Sequence, residues 1–235
     1  DTNRVMLRNR RIGCSVSGIA QFITNRGIDE LRTWLEEGYD TIQDWDKEYS
    51  DWFAIPKSIK TTSVKPSGTV SLLAGATPGL HYPESRFYTR RIRLSINSEL
   101  VEPLKKAGYK IEPAFGSEES TLVVEIPVDV GEGIRTAGEL TIWEQFSIAA
   151  FLQRHWADNQ VSCTVTFDPE KEGEQIPHVL NYYQYHLKGI SLLPRHDYGA
   201  YKQMPYEAIE EKEYNKQVKK LGKLSFGVIK NEEAE

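Results

Sequence analysis

The chain has 235 residues, 39% of them hydrophobic and 27% charged, with a formal net charge of −5. Five Trp, twelve Tyr and eight Phe supply ample material for a buried core, which excludes a disordered chain. The negative balance speaks against a protein that coats DNA or RNA, which needs a basic face, but not against one that binds a single nucleotide.

In chain order, residues 4–25 (RVMLRNRRIGCSVSGIAQFITN) place Ile12, Val16, Ile19, Ala20 and Ile23 at helical spacing. That predicts a helix, weakened by Gly13 and Gly18. Residues 29–53 read as one or two amphipathic helices ending at Pro56. KTTSVK (60–65) predicts a short strand, and KPSGTVSLLAG (65–75) a hydroxyl-rich loop that opens an apolar helix. ATPGLHYPESR (76–86) is a loop, with turn signals at Pro78, Gly79 and Pro83. TRRIRLSI alternates as a strand does, with Ile92 and Leu94 on one face and Arg91 and Arg93 on a solvent face. A short helix is expected over 98–107 and a strand over 121–128. A capping box at Thr141–Glu144 then opens a helix that runs to about Ala157. The strand VSCTVTFDP (161–169), a helix over 176–188 and the strand ISLLP (190–194) have the order of a parallel βαβ unit. Residues 206–220 read as a solvated, charge-dense helix, and 221–235 as a linker. The alternation of strands and helices predicts an α/β fold.

The stretch Pro66-Ser67-Gly68-Thr69-Val70-Ser71 admits two readings. As an anion site, Gly68 lets backbone approach a ligand, the first amides of the helix point outward, and the hydroxyls add donors. As a helix start, Ser67 or Thr69 is simply an N-cap. No Gly-Lys-Ser/Thr follows a four-residue spacer, so the Walker pattern is not met. His81, His155, His178, His186 and His196 form no HxH or HExxH pattern, and no metal site is expected. Cys14 and Cys163 stand alone, which suits a reducing cytoplasm and an inert thiol better than a disulfide or a nucleophile. No apolar run approaches the roughly eighteen residues of a membrane helix, and the N-terminus lacks a signal-peptide shape. The expectation is a cytoplasmic piece of a larger chain, with no membrane and no nucleic acid polymer as partner.

Five segments read together go further. NRRIGCSVSGIAQF, KTTSVKPSGTVSLLAGATPGLHY, RRIRL, EQFSIAAFLQRHWADNQVSCTVTFDP and GISLLPRHDYGAYKQMPYEAI resemble, in that order, the C-terminal part of the adenosylcobalamin-dependent (class II) ribonucleotide reductases that act on triphosphates. The resemblance runs from about Arg8 to about Lys220. It implies part of a ten-stranded α/β barrel over 1–220, with 221–235 leading toward a C-terminal tail. It also implies that Pro66 to Ser71 hold the phosphates of a ribonucleoside triphosphate. A nucleotide allosteric effector, adenosylcobalamin as cofactor, and thioredoxin or a similar dithiol as reductant are implied too. In the family, cobalt–carbon homolysis generates a thiyl radical that takes the ribose 3′-hydrogen, and a cysteine pair reduces the 2′ position. The cysteines of that chemistry match neither Cys14 nor Cys163, so no catalytic residue is expected here and the chain alone should not turn over.

The resemblance discriminates among classes of reductase. Oxygen-dependent class I enzymes carry a Tyr-Tyr radical relay on the strand matching ISLLP, where this sequence has Leu192 and Leu193. Leucine cannot be oxidised at accessible potentials, so the radical must be made locally, as adenosylcobalamin does. A glycyl-radical reductase is disfavoured by the context of Gly227 in LSFGVIKNEEAE. A class II diphosphate reductase and a noncatalytic nucleotide-binding module remain the alternatives.

Overall fold

A computed structural model describes residues 1–68, 70–195 and 202–225. The chain opens with α1 (Thr2–Asn9), β1 (Arg11–Ser15), α2 (Ile19–Arg26), α3 (Ile28–Trp52), β2 (Lys60–Ser63) and α4 (Val70–Leu73). Next come β3 (Phe87–Ser95), α5 (Val101–Lys106), β4 (Lys110–Pro113), β5 (Thr121–Asp129) and α6 (Ile142–His155). The order closes with β6 (Thr164–Phe167), α7 (Pro169–Glu172), α8 (Ile176–Tyr183), β7 (Ser191–Pro194), β8 (Tyr206–Ala208) and α9 (Glu211–Val218). These elements divide into two compact units, one of Asp1–Pro83 with Glu132–His196, the other of Glu84–Gly131 with Asp197–Glu235.

In the first unit the strands run parallel. β1 pairs with β2, and β6 with β7, where Thr164 faces Ser191 and Phe167 faces Pro194. A parallel bridge from Val64 to Val161, with Ser162 N–H donating to the Val64 carbonyl at 2.9 Å, continues β2 toward β6. The carboxyl ends of β1, β2, β6 and β7 therefore lie along one edge, which is where parallel α/β sheets bind ligands. Helix α6 supplies the centre of the core. Ile142, Phe146, Ala149 and Leu152 recur at helical spacing and are wholly buried, against Val64, Val161, Val165 and Val179. Its start is fixed as the sequence predicts: Thr141 Oγ1 accepts the Glu144 amide, and the Glu144 carboxylate accepts the Thr141 amide at 2.9 Å. The Arg135 guanidinium and that amide hold the Glu144 carboxyl down to about 2.

A buried carboxylate that the sequence did not single out ties the same edge together. Glu172, only 9% exposed, accepts the amides of Ile142 at 2.8 Å and Asp168 at 3.0 Å and pairs with Arg195 at 3.5 Å. One side chain thus joins the start of α6 to the ends of β6 and β7.

The second unit holds an antiparallel sheet in the order β4-β5-β3-β8. Val123 and Val124 are neighbours on opposite faces of β5, yet both are buried, so both faces are covered there. Helix α9 contributes to that cover through Tyr214, whose ring lies 5.0 Å from that of Phe87.

Four expectations need correction. Residues 4–25 are not one helix: Arg10 at φ 43° ends α1, and Ile12 lies in β1, with α2 beginning only after Gly18 at φ 76°. The 3.6-residue spacing of those apolar residues runs across β1, the link at Val16 and α2 by coincidence. The helix after the 65–71 stretch is a single turn. The start of the expected 206–220 helix is instead β8, paired with β3, and KIEP forms β4, an edge strand with no apolar alternation to announce it. Arg91 is not on a solvent face. Its side chain, 14% exposed, pairs with Glu125 at 2.9 Å and with Glu207, because β3 is an interior strand and Glu207 sits on its neighbour β8. Among the described residues no helix is long and apolar enough to cross a membrane. His196, Gly227 and most of 221–235 lie outside the described residues.

Candidate phosphate-binding site

The 65–71 stretch leaves the carboxyl end of β2 beside the carboxyl end of β1. Lys65 N–H donates to Ser15 Oγ at 3.0 Å, which fastens the start of the loop to β1. Ser67 then takes φ 46°, a left-handed conformation that costs a non-glycine residue about 1 kcal/mol or more. Strain of this kind persists only where surrounding contacts impose it. Those contacts come from Ser17 and Gly79. The hydroxyls of Ser17 and Ser67 lie 2.5 Å apart, and the Gly79 amide points at both, 3.2 Å from Ser67 Oγ and 3.4 Å from Ser17 Oγ. Two hydroxyls that share one bond and together receive an amide keep one hydroxyl hydrogen for an outside acceptor. An anion at this spot would take it.

Ser71 has another task. Its amide and hydroxyl both donate to the Ser67 carbonyl, at 3.0 and 2.7 Å, so the side chain closes the turn inward and is buried. Val70 is 71% exposed, Pro66 is exposed and Gly68 is half-buried, whereas Thr69 lies outside the described residues. The outward face of the loop is therefore Pro66, Gly68 and Val70, with the Ser17–Ser67 pair at its base.

Behind the loop stands the 76–81 turn. Gly79 has φ 54°, and a Cβ there would lie 2.4 Å from the Lys65 carbonyl oxygen, so only glycine lets the turn pass under the loop. Gln21 clasps the same turn from α2, accepting the Thr77 amide at 2.8 Å and donating to the Gly75 carbonyl at 3.0 Å. His81 completes the frame. Its Nε2 lies 3.2 Å from the Thr164 amide and must accept, and its Nδ1 lies 3.2 Å from the Pro78 carbonyl and must donate. Burial lowers its pKa, only partly opposed by the Pro78 bond, and keeps the ring neutral as that geometry requires. Ser17, Gly79 and His81 frame the candidate site, although sequence reading singled out only the loop. The one signal for them was the Pro78-Gly79 turn, which marks a bend but not what the bend supports.

No family profile matches the chain. The adenosylcobalamin-dependent ribonucleoside-triphosphate reductase of Euglena gracilis is 61% identical over 94% of the chain and 30% of its own length. A probable enzyme of the same name from Dictyostelium discoideum is 58% identical over 98% of the chain and 31% of its own length. Among solved structures, a B-12-dependent (class II) ribonucleotide reductase superposes with a TM-score of 0.81 at 34% identity, over 94% of this chain and 35% of that one. The chain is a homologue of these reductases. It spans about a third of the length of the curated relatives it matches.

Two features bear on how much of a reductase's chemistry these residues can do. Cys163 is buried beside β6, and burial pushes its thiol up to about 12, so it is no thiolate nucleophile. Cys14 is exposed on β1 and, like Cys163, is a free thiol. The described residues beside the loop also do not fit the cobalt of adenosylcobalamin, because both ring nitrogens of His81 are engaged and no lone pair is left for a metal. Among the described residues, no group of three His, Cys, Asp or Glu side chains comes together at a possible metal site.

Proposed function

We propose that the chain is the substrate-phosphate-binding part of an adenosylcobalamin-dependent ribonucleoside-triphosphate reductase. The observation that carries this reading is the strained, glycine-buttressed loop 65–71 at the carboxyl end of β2, in a chain 61% identical to a reductase of that name. The parallel strands β1, β2, β6 and β7 are late strands of a ten-stranded α/β barrel. Residues 1–220 contribute to that barrel, and 221–235 lead toward a tail. The loop receives the triphosphate through backbone amides and the free hydroxyl hydrogen of the Ser17–Ser67 pair, and Gly68 allows close approach. The loop binds and orients; it moves no electrons. The radical, supplied by adenosylcobalamin, and the reducing thiols come from the two thirds of the reductase that this chain does not span. A nucleotide effector and a thioredoxin-type dithiol act on that whole cytoplasmic enzyme.

The loop is tested by replacing Gly68 with Val, whose branched side chain blocks backbone approach. In amide-resolved NMR of the wild-type chain, cytidine triphosphate should shift the amides of Ser67 to Ser71. In Gly68→Val the concentration needed should rise at least about tenfold. Absence of any shift at these amides at millimolar nucleotide would show that the loop is only a helix start.

A further inference from the structure

His81 is a titratable side chain built into the frame of the phosphate loop, and both of its ring bonds require the neutral form. Nδ1 donates to the Pro78 carbonyl at 3.2 Å, within the turn, and Nε2 accepts the Thr164 amide at 3.2 Å, across to β6. Backbone bonds stitch the same turn to the start of α2. There the Gly18 amide donates to the Thr77 carbonyl at 2.8 Å and the Ile19 amide to the Gly79 carbonyl at 3.3 Å. The Gly79 amide in turn points at Ser17 and Ser67 Oγ. Among the described residues, the His81 ring is the only hydrogen-bonded link from the 76–81 turn to β6.

Protonation would put an N–H on Nε2, so that two donors face each other across 3.2 Å. The ring must then turn away, and the Thr164 amide loses its acceptor. The surroundings offer an imidazolium nothing in return. Burial is the largest influence on the ring and lowers its pKa, opposed only in part by the Pro78 bond, and among the described residues no carboxylate or cation acts on it. Its titratable neighbours are Cys163, next to Thr164, and Tyr82, next in the chain. Both are neutral near pH 7, since burial raises the pKa of each. Arg135 and Glu144, the charged groups that act on Tyr82, pair with each other at 2.7 Å. Lys65, whose carbonyl abuts Gly79, has an exposed side chain.

A purely structural role would leave the loop indifferent to the state of the ring. The packing of the turn argues otherwise. Gly79 lies two residues before His81, so close under the loop that a Cβ there would sit 2.4 Å from the Lys65 carbonyl oxygen. A shift of the turn is therefore felt at once by residues 65–67. It separates the Gly79 amide from the Ser17–Ser67 pair and frees Ser67 from φ 46°, a conformation that its contacts must impose. Direct binding of phosphate by an imidazolium is the opposite reading, and it has the opposite sign: affinity would rise in acid.

We propose that His81 is a positioning residue for the substrate: its neutral ring locks the turn against β6 and holds the phosphate seat, and its protonation releases both. The proposal rests on the reading of the loop as a phosphate seat. The lock is complete above the ordinary histidine value of about 6.5 and is lost as pH falls through the lower value that His81 has in the fold.

The test follows the His81 ring and the amides of Ser67 to Ser71 by NMR while uridine triphosphate is titrated into the chain. Titrations are made at pH about 7.5 and about one unit below the midpoint measured for the ring. The terminal phosphate also takes up a proton in this range, so each wild-type affinity is divided by that of His81→Gln at the same pH. That ratio should fall at least about fivefold in acid. Bound nucleotide should lower the midpoint of the ring, because the coupling is reciprocal. His81→Ala should weaken binding at pH about 7.5 at least about fivefold, and His81→Gln, which still offers an oxygen to the Thr164 amide, should recover part of that loss. Should a variant fail to fold, the midpoint shift decides. Equal pH profiles for wild type and His81→Gln would overturn the proposal, as would a ratio that rises in acid or a midpoint that nucleotide leaves unchanged or raises. If the loop binds no nucleotide at any pH, the phosphate reading fails by itself and the lock is still tested. In the free chain the amides of Gly79 and Ser67 should titrate with the midpoint of the His81 ring, and amides that ignore it would overturn the lock.

Discussion

Gly79→Ala should weaken triphosphate binding at the 65–71 loop at least about tenfold and lower the thermal midpoint of the chain, while Gly75→Ala does only the second. Both glycines hold positive φ, 54° at Gly79 and 64° at Gly75, so an alanine at either stores about 1 kcal/mol or more of backbone strain. They differ in what the new methyl group meets. At Gly75 nothing lies within 4 Å, whereas at Gly79 the Cβ would sit 2.4 Å from the Lys65 carbonyl oxygen. Backbone cannot yield as a flexible side chain can, so residues 65–67 must move. That motion breaks the Gly79 amide from the Ser17–Ser67 pair and releases Ser67 from its left-handed conformation. Amide-resolved titration with cytidine triphosphate, run beside a melting curve for each variant, reads the two effects separately. Identical affinities for the two variants would mean that the turn does not support the loop.

Glu172→Ala should destabilise the parallel unit by about 3 kcal/mol. It strands the amides of Ile142 and Asp168 and the Arg195 guanidinium at once, in a place where Glu172 itself is 9% exposed. For a chain of this size the midpoint should fall roughly 6–12 °C. Glu172→Gln keeps one acceptor oxygen and should fall between wild type and Ala. A drop of less than about 2 °C for Glu172→Ala would mean that water reaches those amides.

Much of the fold was legible because its signals are local. The capping box at Thr141 and the apolar stripe of α6 need only a few neighbouring residues to be recognised, as does the βαβ order of β6, α8 and β7. Where contacts distant in sequence decide, the sequence is mute. Ile12 sits at helical spacing yet lies in a strand, because pairing with β2 about fifty residues on outweighs a periodicity broken at Arg10 and Gly18. Arg91 reads as a surface residue until Glu207, on β8, comes alongside. The same holds for the site. The loop announced itself by composition, but its supports, Ser17, Gly79 and His81, come from segments up to 50 residues away. The buried hydrogen bond of Ser71 could not be foreseen at all, since a hydroxyl that faces a ligand and one that closes a turn look alike in sequence.

The claim at the centre is that this chain is a working third of a reductase, and a chimera tests it most directly. The matching segment of the Euglena gracilis enzyme, 61% identical, is replaced by residues 1–235, and adenosylcobalamin-dependent reduction of cytidine triphosphate is measured with a dithiol reductant. The account predicts turnover, with KM raised at least about tenfold by Gly68→Val because the substrate phosphates lose their seat. A folded chimera without turnover, or one whose KM ignores Gly68→Val, would contradict it.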